Sequence, residues 1–128
     1  LLLDVQGYVA ECSGENIFAV VNGEIHTPPF GGPLLGGITR NTLLTVAQEM
    51  GYTVRSAAMT RDVLYLADEV FMCGTAAEVT PVRELDHRMI GDGSPGPVTK
   101  ALQERYFDIV KGSDMSHPEW FTFYEVPV

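Results

Sequence analysis

The stretch Asn16-Ile17-Phe18-Ala19-Val20-Val21-Asn22-Gly23-Glu24-Ile25-His26-Thr27 decides the fold. Two apolar runs flank Asn22-Gly23, the strongest short turn signal in the chain, because both turn residues accept the positive φ that a tight hairpin needs. The segment before it repeats the theme, with residues 1–5 and 8–11 on either side of Gln6-Gly7. After it, residues 28–37 hold three prolines and four glycines and read as a loop. A helix follows. Thr39 is expected as its N-cap, Leu43, Val46, Ala47 and Met50 fall at i, i+3, i+4 and i+7, and Gly51 suits C′.

Residues 52–58 are expected as a strand and residues 60–67 as a short helix, with Asp62 near its positive end. Residues 69–73 form a nearly continuous apolar strand that runs into Gly74-Thr75-Ala76-Ala77. Residues 78–85 and 88–90 are expected to pair across Asp86-His87. Pro97 suits the first position of a last helix, whose inner stripe is Val98, Ala101, Leu102, Arg105, Tyr106 and Ile109, and Gly112 ends it. Residues 113–128 read as a polar, then aromatic tail that packs locally or on a partner. Hairpins with interspersed helices predict a mixed α/β (α+β) domain rather than a regular βαβ series.

The chain has 128 residues, enough for one domain with a real core. Its 17 acidic residues against 8 basic ones, a net charge of −9, argue against nucleic acid and against an anionic membrane surface. No apolar run approaches the roughly 20 residues of a spanning helix. Cys12 and Cys73 lie far apart and in no CxxC, so reduced thiols in a cytoplasmic protein are expected. The chain opens on Leu1 in an apolar run without a basic n-region, so no signal peptide is read there. It is expected to be a piece of something longer.

Two segments are candidate anion sites. Gly36-Gly37-Ile38-Thr39-Arg40 runs straight into a helix N-terminus, where free amides, the helix dipole and the Thr39 hydroxyl can hold a phosphate; an ordinary cap is the alternative. Gly74-Thr75-Ala76-Ala77 leaves a buried strand with small residues that let a ligand approach the backbone; a tight turn is the alternative. Glu11 ends a strand beside a Gly-containing turn and could meet a cationic ring nitrogen, or be a solvated strand end. His26, His87 and His117 have no metal-like spacing, and no metal site is expected.

Seven segments in series resemble the branched-chain amino acid aminotransferases. They are Asp4-Val5-Gln6-Gly7-Tyr8-Val9-Ala10-Glu11, Gly14-Glu15-Asn16-Ile17-Phe18, Thr27-Pro28-Pro29, Gly37-Ile38-Thr39-Arg40, Leu64-Tyr65-Leu66-Ala67-Asp68-Glu69-Val70-Phe71, Gly74-Thr75-Ala76-Ala77-Glu78-Val79-Thr80-Pro81-Val82 and Gly96-Pro97-Val98-Thr99-Lys100. The resemblance is to the C-terminal large domain of these fold type IV enzymes, which share the D-amino acid aminotransferase-like fold. It implies β-hairpins forming a pseudo-barrel sheet packed with about three helices. It implies a pyridoxal-phosphate-binding domain over residues 1–112 and a C-terminal tail over 113–128.

The resemblance also implies roles. Glu11 matches the acidic partner of the pyridine nitrogen of pyridoxal 5′-phosphate. Ile38 and Thr39 match the helix end that holds its phosphate, and Thr75, after Gly74, adds to that site. Leu35 lies near the cofactor ring in the family. The Thr75-Ala76 amides match the turn that receives the substrate carboxylate. Cys12 departs from the pattern, since glycine is common there. The Schiff-base lysine lies upstream of Leu1 in the family, and Lys100 and Lys111 do not match it, so no catalytic residue is expected in this chain.

The implied parent reaction moves an amino group between leucine, isoleucine or valine and 2-oxoglutarate, in a homodimer or higher homo-oligomer. A D-amino acid aminotransferase, an aminodeoxychorismate lyase, or a truncated domain without activity of its own are the alternatives.

Overall fold

The computed structural model describes residues 1–125. The strands are β1 (Leu2–Leu3), β2 (Val9–Glu11), β3 (Asn16–Val21), β4 (Glu24–Thr27), β5 (Val54–Ser56), β6 (Glu69–Gly74), β7 (Glu78–Pro81), β8 (Glu84–Leu85) and β9 (Arg88–Met89). The helices are α1 (Ile38–Glu49), α2 (Arg61–Leu66) and α3 (Pro97–Val110). A five-stranded sheet in the order β5-β4-β3-β6-β7 carries the structure, flanked by the two-stranded pairs β1-β2 and β8-β9. The sheet is antiparallel except for β4 and β5, which run parallel because α1 crosses between them.

The quoted hairpin forms at the sheet centre. Asn22 and Gly23 have φ of 50° and 77°, the paired positive values of a I′ turn. β3 and β6 are apolar on both faces because both faces are covered. Phe18, Val20 and Phe71 point to α1 and α3, where they meet Leu43, Val46, Leu102 and Ile109. Ile17, Ala19 and Val70 point the other way, onto Val9, Met59, Leu64 and Ile90. Phe18 lies opposite Phe71 across the strands, and their rings stack at 4.9 Å. Such a pair adds about 1 kcal/mol beyond its buried area.

Several expectations are corrected. Thr39 is not the N-cap of α1. Gly37 is, with extended backbone and no side-chain cap, which leaves Thr39 buried in the first turn. Met50 lies on the outer side at 38% exposure, because the helix has already ended at Glu49. The strand expected over 52–58 is only Val54–Ser56, since β4 offers just three residues of register at this edge. The strand expected over 78–85 splits, since β7 pairs with β6 while β8 turns away to pair with β9 through Asp86 and His87. Ala101 and Arg105 are only half-buried on α3, and Thr99 takes an inner position instead.

The tail folds back. After α3, a 3-10 turn at Pro118–Trp120 brings Phe121 against the core between α1 and α3. Residues 126–128 of the expected tail lie outside the described residues. Among the described residues no helix is long and apolar enough to cross a membrane, and no cluster of three or more His, Cys, Asp or Glu could hold a metal.

Candidate functional site

β3 begins and β6 ends at one end of the sheet, since Asn16 pairs with Cys73. β2 ends there at Glu11, and the loop after β4 delivers the start of α1. Between them lies a cavity of about 140 Å³. Its wall brings together Glu11, Leu35, Ile38, Thr39, Gly74 and Thr75. Ala76 follows Thr75 in the β6–β7 turn and is exposed, but it does not line the cavity.

The lining of this cavity combines two kinds of polar group. On one side, α1 starts with no side-chain cap and no acidic residue in its first turn. The amides of Ile38, Thr39 and Arg40 have no backbone acceptor among the described residues. Such a helix end carries partial positive charge and attracts an anion. The β6–β7 turn adds the Thr75 and Ala76 amides, which also lack a backbone acceptor. Glu11 also lines the cavity. Its Oε2 accepts the Leu35 amide at 2.8 Å, which fixes the carboxylate and leaves its second oxygen available.

Two residues of this region were not singled out from the sequence. Asn16 is buried and donates its Nδ2 to the Leu35 carbonyl at 2.8 Å. A polar residue opening an otherwise apolar strand was the available signal. Arg40 is 2% exposed, donates from Nη2 to the Pro28 carbonyl at 2.8 Å, and has no partner for Nε. Burial pulls its pKa below the usual arginine value. The signal was an arginine on the apolar face of a helix.

Cys12 and Cys73 also line the cavity. Burial pushes both thiols up, Cys73 to about 12, which disfavours the reactive thiolate. The lysines are elsewhere. Lys100 lines a separate cavity of about 680 Å³ with Asp68 and Asp92, and Lys111 lies over the Phe107 ring.

The family profile described as amino-transferase class IV matches residues 1–85. The chain belongs to this family. It is 55% identical over 122 residues to a branched-chain-amino-acid aminotransferase of Pseudomonas aeruginosa, and 48% identical over 120 residues to that of Escherichia coli. These alignments cover 95% and 94% of the chain but only 39% of each relative, so the chain spans about two fifths of their length. Among solved structures it is similar to the T.th. branched-chain amino acid aminotransferase complexed with N-(5′-phosphopyridoxyl)-L-glutamate. That match has a TM-score of 0.93 and 50% identity, and covers 96% of this chain and 42% of that one. The branched-chain amino acid aminotransferase from Thermobaculum terrenum, solved in a PLP-form, matches with a TM-score of 0.92 at 39% identity, over 95% of this chain and 40% of that one.

Proposed function

We propose that residues 1–112 are the pyridoxal-phosphate-binding large domain of a branched-chain amino acid aminotransferase, with residues 113–128 as its C-terminal tail. The observation that carries this reading is the single cavity that joins an uncapped helix N-terminus, a small-residue turn and a fixed carboxylate. A phosphorylated pyridine needs hydrogen-bond donors at one end and an anion at the other. The walls fit as well. A Cβ at Gly74 would come within 3.2 Å of the Gly14 carbonyl, so glycine keeps this side open. Leu35 offers an exposed apolar side chain to a ring face. At about 140 Å³ the cavity is below the roughly 300 Å³ at which ligand pockets begin, which suits one wall of a site that further chain completes.

When bound, the cofactor supplies an electron sink for the carbanion at the substrate's Cα. The chain's own part is positioning and electrostatics. Glu11 holds the proton on the pyridine nitrogen. The amides of Ile38 and Thr39 and the hydroxyl of Thr75 bind the phosphate, and Gly74 lets the backbone come close. Thr75 and Ala76 present amides to the substrate carboxylate. Neither Lys100 nor Lys111 stands at this cavity. By resemblance to the family, the Schiff-base lysine is placed in sequence upstream of the segment that matches Leu1, and turnover is expected to need that segment.

The parent reaction transfers an amino group between leucine, isoleucine or valine and 2-oxoglutarate. The similarity to branched-chain enzymes supports this over the D-amino acid aminotransferase and lyase readings. The two buried free thiols suit a reducing cytoplasm. The parent assembles as a homodimer or higher homo-oligomer.

Transamination assays test the reading. The purified chain is expected to take up pyridoxal 5′-phosphate without turning over any branched-chain substrate. Adding the upstream segment with its lysine is expected to restore turnover. Turnover by the chain alone that Lys100→Ala abolishes would contradict the assignment.

A further inference from the structure

We infer that Asn16 is a positioning residue that locks the Glu11 carboxylate to the start of α1 through the Leu35 backbone; this deepens the cofactor reading above and rests on it. The Leu35 backbone is held at both its N–H and its carbonyl. Its N–H donates to Glu11 Oε2 at 2.8 Å, and its carbonyl accepts both Asn16 Nδ2 at 2.8 Å and the Gly37 amide at 2.9 Å. The Leu35 side chain is 74% exposed, so packing does not hold this peptide and the hydrogen bonds must. Asn16 is 7% exposed at the first position of β3, paired with Cys73, and moves with the rigid sheet. One side chain thus fixes both the partner of Glu11 and the residue that starts α1.

Gly37 gives an independent sign of the same lock. Its φ of −69° and ψ of 141° are open to any residue, so backbone conformation does not call for glycine. A Cβ there would stand 2.5 Å from Asn16 Oδ1. A side chain at this position would have to displace the Asn16 amide. Asn16 and Gly37 therefore act as a pair.

Two variants break the lock by different routes. Asn16→Asp keeps the shape but sets a carboxylate against the Leu35 carbonyl. Gly37→Ala leaves Asn16 intact and pushes it away. In the cofactor-free chain, amide exchange of Leu35 and Gly37 is expected to quicken about tenfold in both variants, while Phe18 and Phe71 keep their native rates.

Pyridoxamine 5′-phosphate is the second probe, with absorbance reporting protonation of its ring nitrogen. Bound to the native chain, that nitrogen is expected to keep its proton to higher pH than in free solution. In both variants its titration is expected to move back toward the free value. Asn16→Ala with Gly37→Ala is expected to be no worse than Asn16→Ala alone. A merely structural role would lower the melting temperature and leave the ring titration native. Native exchange at Leu35 in Asn16→Asp, or a native ring titration in both variants, overturns the inference. If the native chain takes up no pyridoxamine 5′-phosphate, the cofactor reading fails, and the exchange rates alone decide whether the lock exists.

Discussion

Glu11 is useful to a ring nitrogen only if its carboxylate is held still. The Leu35 amide does this with one oxygen and leaves the other free. In the assembled enzyme, Glu11→Gln is expected to lower turnover by about 10²-fold or more, because it removes the charge that stabilises the protonated ring as electrons move into it. Phosphate anchoring, assigned to the Ile38 and Thr39 amides and to Thr75, should change little. Steady-state kinetics with a cofactor titration check both, and undiminished turnover would remove Glu11 from this role. The cysteines give a second prediction at this scale. With Cys73 near 12, its thiolate at pH 8 is only about one part in 10⁴. Iodoacetamide should leave it unmodified in the native chain and label it after denaturation. Glu11 and Thr75 were candidates by residue type alone, and the resemblance to the family, not their type, gave them roles. Asn16 was not a candidate, because its importance lies in Leu35 and Gly37, which only the fold brings to it.

At the scale of elements, α3 shows how far sequence reading reached. Pro97 marked its start and Gly112 its end, yet its cap comes from another strand. The buried Glu69 of β6 accepts the amides of Val98 at 3.0 Å and Thr99 at 2.7 Å. A Cβ on Gly96 would collide with that carboxylate. Glu69→Ala should cost about 3 kcal/mol in urea unfolding, since two charge-assisted bonds are lost and two buried amides are left bare. A cost below about 0.5 kcal/mol would show that water replaces the cap. The tight turns were legible, because Asn22-Gly23 needs no distant partner. The ends of β5 and β7 were not, because neighbouring strands set them.

The tail is the other element whose placement sequence left open. His117 bonds Glu119 at 3.0 Å and Glu49 of α1 at 2.9 Å, and its ring stacks on Trp120 at 3.8 Å. Arg105 and Asp114 pair beside it. The bond to Glu119, and then the charge of Glu49, hold the His117 pKa above its ordinary 6.5. A group whose folded pKa is raised stabilises fully below its unfolded value and loses that contribution as pH rises through the folded one. Docking of the tail should therefore weaken as pH climbs above about 6.5. Trp120, the single tryptophan, reports this by fluorescence, and His117→Gln should flatten the response. A pH-independent signal in the native chain would show that the stacking alone holds the tail.

For the whole molecule, the mixed α/β class followed from turn chemistry and from hairpins with interspersed helices. What no single segment revealed is that Glu11, Leu35, the start of α1 and the β6–β7 turn reach one cavity, because that depends on β2 and β6 ending, and β3 beginning, side by side. This cavity is proposed to be a cofactor cradle that brings amide donors and a carboxylate together. The most direct test is an amide NMR titration of the 128-residue chain with pyridoxamine 5′-phosphate. Saturable shifts are expected at Ile38, Thr39, Leu35 and Thr75, with the Leu35 shift lost in Glu11→Gln and those of Ile38 and Thr39 retained. Shifts confined to the cavity around Lys100, or none at all, would contradict it.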